Sequence, residues 1–123
     1  MMDLSAIKQQ VMFQTGNDEA DLGDFVPHVG EYLNDGYDRL MFAHTGLHVS
    51  VDSPYAPLRY DKSTPELPEW THSAIADWAT WLIYRNGAPN RQNRGLAFRA
   101  SFDETERKLR TAKAGKLFHN LPM

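Results

Sequence analysis

The chain of 123 residues contains no cysteine. A disulfide framework, a thiol redox pair and a thiolate metal site are excluded, so any chemistry must rest on oxygen and imidazole groups. Long apolar runs are missing as well, since nothing approaches the roughly 18 uninterrupted apolar residues of a membrane span. The opening MMDLSAIKQQ lacks a basic end followed by an apolar stretch, so a cytosolic protein with no membrane partner is expected. There is no glycine-rich phosphate loop, no nucleophile elbow and no helical histidine pair of the metalloprotease kind. The residues therefore offer no catalytic set, no cofactor site and no metal site, and an enzyme is not expected. Internal repeats and low-complexity segments do not occur.

What is present describes a globular domain. Apolar residues make up 41% of the chain and charged residues 24%, near the average for soluble proteins. A chain of this size suits one domain with a single core. The net charge of −3 conceals a division: residues 1–66 carry 11 acidic and 4 basic side chains, residues 67–123 carry 5 acidic and 9 basic. Such a split suits attraction between neighbouring copies, a polyanion against the basic half, or merely solvated faces.

Periodicity predicts four helices. In DLSAIKQQVMFQTG, Asp3 is a natural N-cap, Leu4, Ile7 and Val11 share a face, and Gly16 can end the helix in a left-handed turn. Asn17 and Asp18 then cap an acidic second start, followed by a stripe of Leu22, Val26, Val29, Leu33, Leu40 and Met41 that Phe25 and Tyr37 widen. Pro27 interrupts this stripe, which predicts a kink there or two helices meeting. Between Gly46 and Pro68 the helical period disappears. Leu47, Val49 and Val51 alternate with polar residues, Leu58 and Tyr60 suit a return strand, and a β-hairpin or projecting loop is expected over 47–66.

Pro68 fits the first turn of the third helix and Gly87 its C-terminal cap. A fourth helix is expected from about Asn90 to Lys113, with Phe98, Phe102, Thr105 and Leu109 on one face. Ser101 and Glu104 match a capping box that would divide it. Residues 114–123 read as a tail, and its Leu117, Phe118 and Leu121 suggest that it docks on something. The domain thus spans 1–113, all-α, with one extended insertion.

The candidate sites are few. His44 and His48 are four apart, but Gly46 stands between them at a helix end and no third ligand is evident. Asp18, Asp21 and Asp24 step around one helix and could share a cation, although a solvated acidic first turn explains them as well. The free amides of FQTGND could hold an anion, but the acids that follow would repel it. Arg91, Arg94 and Arg99, with Lys108, Arg110, Lys113 and Lys116, make the case for nucleic acid. Asp103, Glu104 and Glu106 are interleaved with them, which weakens it.

LPEWTHSAIADWATWLIYRNG, residues 67–87, holds all three tryptophans. At about 100° per residue, Trp70, Ala74, Trp78, Trp81 and Arg85 fall on one arc, while Ala76, Ala79 and Ile83 line the far side. Only Ser73, Asp77, Thr80 and Tyr84 leave a polar strip. A helix so apolar must be covered on nearly every side, and a third covered face implies a neighbouring subunit or a ligand. Two of the three indoles are expected to serve as core, with the indole N–H directed to a carbonyl. Asp77 is expected to pair with Arg85 or an arginine of the last helix.

The order of NDEADL, YLNDGYDRL, the proline-rich insertion, LPEWTHSAIADWATWLIYRNG and RQNRGLAFRASFDETERKL resembles the head-to-tail connector, or adaptor, proteins of tailed bacteriophages, over most of residues 4–110. In such proteins an early acidic turn leads into a helix of the YLN-G kind. A later alanine- and aromatic-rich helix ends in a turn before a final helix with spaced aromatics. The resemblance implies a homo-oligomeric ring in the virion neck, assembled in the host cytoplasm, that joins the portal protein to a tail or stopper protein. DNA would pass through its channel without being read. It further implies that the insertion, with Tyr55, Arg59 and Tyr60, and the tail, with Leu117, Phe118 and Leu121, meet neighbours or the portal, alongside Trp70, Trp78 and Trp81. Asp18, Asp21 and Asp24 on one copy would then face Arg91, Arg94 and Arg99 on the next. The alternative is a small helical nucleic-acid-associated regulator using the basic half.

Overall fold

A computed structural model of the chain describes residues 2–16, 26–87 and 89–119, of which 26, 89–91 and 116–119 are described by backbone alone. Among these residues the fold is all-α, with four helices and no strand.

The first helix, α1, spans Leu4–Gln14. Its Asp3 side chain accepts from the Ala6 N–H at 2.8 Å, supplying an acceptor that the first turn lacks. Leu4, Ile7 and Val11 are all buried, and the chain leaves through Thr15 and a left-handed Gly16 at φ 68°.

The acidic stretch 17–25, with Leu22 and Phe25, lies outside the described residues. Val26–His28 is a 3-10 turn and α2 follows over Val29–Thr45. Pro27 therefore stands before the helix rather than within it, where its missing donor costs no intrahelical bond. Val29, Leu33, Tyr37, Leu40 and Met41 turn inward, and Gly46 closes α2 at φ 79° with its N–H on the Phe42 carbonyl.

The expected hairpin over 47–66 is not present. Leu47 and Val51 are 48% and 66% exposed, so the alternation buries no strand face. In place of a partner strand, side chains of α2 satisfy the loop backbone. Asp38 accepts from the Val49 N–H, Asn34 both donates to and accepts from the Leu58 backbone, and the Tyr37 hydroxyl accepts from the Glu66 N–H. The far end of the loop receives the first amides of α1, Leu4 N–H on Ser63 and Ser5 N–H on Asp61. The segment is thus laid along α1 and α2 rather than projecting, and Leu58 and Leu67 join the core. Its prolines at 54, 57 and 65 lack backbone donors, and other backbone groups of the loop find side chains of α2 instead of a second strand.

Pro68 leads into a 3-10 turn over Glu69–Thr71, and α3 spans His72–Arg85. Gly87 is not its left-handed cap. The C-cap is Asn86, with ordinary right-handed angles, and Gly87 matters for space, since a Cβ there would stand 3.3 Å from the Ile83 carbonyl oxygen. A 3-10 segment, Pro89–Gly95, then delivers the chain to α4 over Leu96–His119. The last helix starts later than Asn90, passes unbroken through the supposed capping box at Ser101, and continues where a tail was expected from 114.

Helix α3 is the central element, in contact with all three other helices and with the 3-10 turns on either side of it. Trp78 against Phe102 and Trp81 with Tyr84 against Gly95 run it opposite to α4. Ten of its 14 residues are buried. Much of the surface that seemed to need another subunit is covered by the chain itself, and within the polar strip Asp77 and Thr80 pack inward against Gln14 of α1 while Ser73 stays exposed. No helix among the described residues is long and apolar enough to cross a membrane.

Candidate functional site

The three tryptophans occupy three different environments. Trp78 is 4% exposed, and its indole N–H donates to Asp35 at 2.7 Å. The Arg39 and Arg99 guanidiniums lie 4.4 Å and 4.8 Å from its ring centroid, and the Phe102 ring lies at 4.7 Å. Each cation over the indole face is worth about 0.5–2 kcal/mol, so Trp78 is held electrostatically as well as by burial. Trp81 is half-buried with Arg99 at 5.8 Å, and its N–H is enclosed without an acceptor among the described residues. Trp70, at the head of α3, is 54% exposed.

The arginines around Trp78 are balanced by carboxylates. Glu106, only 7% exposed, stands 3.7 Å from Arg39 and 3.1 Å from Arg110. Arg99 pairs with Asp103 one turn along at 2.9 Å. Its guanidinium is thus engaged with Trp78 and Asp103 while remaining about one-third exposed. Arg94 is exposed on the 3-10 segment that also carries the Arg91 backbone. Asp18, Asp21, Asp24 and Leu121 lie outside the described residues, as do the side chains of Arg91, Leu117 and Phe118.

In the insertion Arg59 is exposed, Tyr60 is 75% exposed and Tyr55 is half-buried with its carbonyl accepting from Ser50. His48 is exposed, stacked on Phe42 at 4.6 Å and bonded to Asp38 at 2.9 Å. No group of three or more potential metal ligands occurs among the described residues.

A second polar cluster escaped the sequence reading. Gln14 of α1 donates to Asp77 at 2.7 Å and accepts from the Thr80 hydroxyl, bridging two buried groups of α3. Asp77 pairs with Gln14 and with Ser101 of α4, not with the arginine expected for it. Burial holds its carboxyl above the usual range, and these two hydrogen bonds only partly offset that. Nearby, His72 is 1% exposed with Nε2 on the Leu67 carbonyl and Nδ1 accepting from the Met2 N–H. A carbonyl only accepts, so Nε2 carries the hydrogen in this arrangement.

The missed residues did leave a signal. Gln14 continues the Leu4, Ile7, Val11 spacing, and Glu106 lies between Phe102 and Leu109 on the inward stripe of α4. A polar residue in register with an apolar stripe is a buried polar group needing partners. Asn34 and Asp35 carried no such sign, because their roles depend on the path of the loop and on Trp78.

No protein-family model, no curated protein and no solved structure matches the chain. What it does is therefore inferred from its own residues.

Proposed function

We propose that the chain is a structural connector whose copies assemble into a ring joining a phage portal to the tail, with DNA passing through the channel. The observation that carries this reading is large apolar surface left in water on a domain whose core is already closed. Phe13 is 78% exposed, Tyr60 75% and Trp70 54%, while Leu33, Tyr37, Ile75 and Phe102 are fully enclosed. Aromatic side chains such as Trp and Tyr are enriched among the anchors of protein contacts. The charge division between the two halves supports unlike surfaces on one subunit, which a head-to-tail ring requires. The sequence resemblance supplies the setting, and portal, tail or stopper protein and further copies are the partners.

The nucleic-acid reading draws less support. Arg99, Arg107 and Arg110 each pair with a carboxylate one turn away on α4, which halves the charge available to a phosphate backbone.

Native mass measurement of the purified chain, with and without an isolated portal ring, tests the proposal. A multi-copy ring, or stoichiometric capture on the portal, is expected. A strict monomer that never joins a portal and binds duplex DNA with a steep salt dependence would overturn it.

A further inference from the structure

At the C-terminal end of α2 the surface opens into a cleft of about 280 Å³ lined by Phe42, Ala43, Arg110, Lys113 and Ala114. We propose that this cleft receives the acidic stretch 17–25 of a second copy of the chain. The inference rests on the ring reading above and names its contact.

The cleft has an apolar interior and a cationic rim. Ala43 is buried, and Phe42, a large apolar side chain, is 48% exposed. The Phe42 ring is held in place by stacking on His48, which Asp38 fixes in turn, so the aromatic wall is preorganised. Ala114 is short and keeps the opposite side low. Arg110 is 64% exposed and is steadied at the rim by Glu106. The Lys113 ammonium lies over the end of α2, 2.9 Å from where a Cβ on Gly46 would stand. The carbonyls of a helix C-terminus favour a cation in that place. The chemistry that fits is an apolar side chain flanked by carboxylates.

The chain supplies such a segment. NDEADLGDF, residues 17–25, carries Asp18, Glu19, Asp21 and Asp24 with no cation, and it includes Leu22 and Phe25. No nine-residue window lying wholly outside it holds four carboxylates without a cation. Two different patches on one subunit, cleft and acidic stretch, make a heterologous contact that propagates from copy to copy. A polyanion fits less well, because the cleft offers an apolar interior and only two cations, whereas the stretch brings Leu22 and Phe25 along with its carboxylates.

The test uses the full chain in sedimentation velocity, alone and with a portal ring. One variant reverses the rim, Arg110→Glu with Lys113→Glu; a second reverses the stretch, Asp18→Lys with Asp21→Lys and Asp24→Lys; a third, Phe42→Ser, removes the aromatic wall. Each alone is expected to weaken association by about 100-fold or more while keeping the wild-type helical signal. An equimolar mixture of the first two is expected to assemble again, since reversed rim then meets reversed stretch. Wild-type-like assembly of the rim variant would overturn the cleft and leave the ring reading standing. A wild-type chain that stays monomeric with and without portal would overturn both. Loss of duplex-DNA retention with assembly intact would make the cleft a polyanion site. Restored thermal stability of a single chain carrying both reversals, with no change in assembly, would place the contact within one copy. Either of these last two results overturns the proposal.

Discussion

Gly36 lies directly against Trp78: a Cβ built on the glycine would stand 2.9 Å from the tryptophan's own Cβ. Helices α2 and α3 approach this closely because one of them carries no side chain at the crossing, and neither backbone can yield without moving the core between them. Gly36→Ala is accordingly expected to lower stability by about 1–3 kcal/mol through overpacking. Gly30, on the same helix, has nothing within 4 Å of its would-be Cβ, so Gly30→Ala should instead be neutral or gain up to about 1 kcal/mol. Denaturant melts of the two variants give the contrast directly.

Trp78→Ala removes the largest side chain of the crossing and leaves Arg39 and Arg99 without the nearer of the two rings each one faces. A loss of about 3–5 kcal/mol is expected, enough to unfold much of the population. Trp70→Ala, at an exposed site, should stay within about 0.5 kcal/mol of wild type in the isolated chain. Far-UV circular dichroism against urea checks both, and weakened ring formation by folded Trp70→Ala would mark that indole as a contact.

Asp77 carries the pH dependence. Its carboxyl ionises above the ordinary 3.8 in the folded chain because burial disfavours the charge. The native state therefore holds that proton more tightly than the unfolded state does. The resulting contribution to stability is fully present below 3.8 and is lost as the pH rises through the raised native value. Asp77→Asn retains the carbonyl that Gln14 donates to and never bears the charge. Its stability relative to wild type is expected to increase from acidic pH to neutrality, as read from urea midpoints at pH 4 and pH 7.

Gln14→Ala strips Asp77 of one partner and Thr80 of its acceptor at once. Both are buried, so the loss should be about 1–3 kcal/mol, although Gln14 itself lies near the surface end of α1. Gln14→Glu would put a second carboxylate beside Asp77 and should be worse at pH 7 than at pH 4. The same melts measure it.

The helices were legible because each announces itself locally. Asp3, Val11 and Gly16 mark α1 without reference to anything else in the chain, and Phe102 with Leu109 mark the inward side of α4. The loop 47–66 was not legible, since its path is set by Asn34, Tyr37 and Asp38, up to 29 residues away. A short alternating run such as Leu47, Val49 and Val51 looks like a strand until its partner groups turn out to be side chains. The tryptophans, read as a crowded group, are spread over three environments: Trp78 is buried, Trp81 half-buried and Trp70 exposed. Which indole is inside depends on Gly36, Asp35 and Gly95, residues that carry no hydrophobic signal of their own.

The bonds that secure α1 span long distances along the chain. Its first amides reach Ser63 and Asp61, Met2 reaches His72, and Gln14 reaches Asp77 and Thr80. Each of these partners is made after α1, in turn at 61–63, 72 and 77–80. Its set of partners is complete only once residue 80 has been made, so its apolar face lacks the cover of α3 while the intervening residues are translated. Nascent chains stalled before that point should be the ones that chaperones hold.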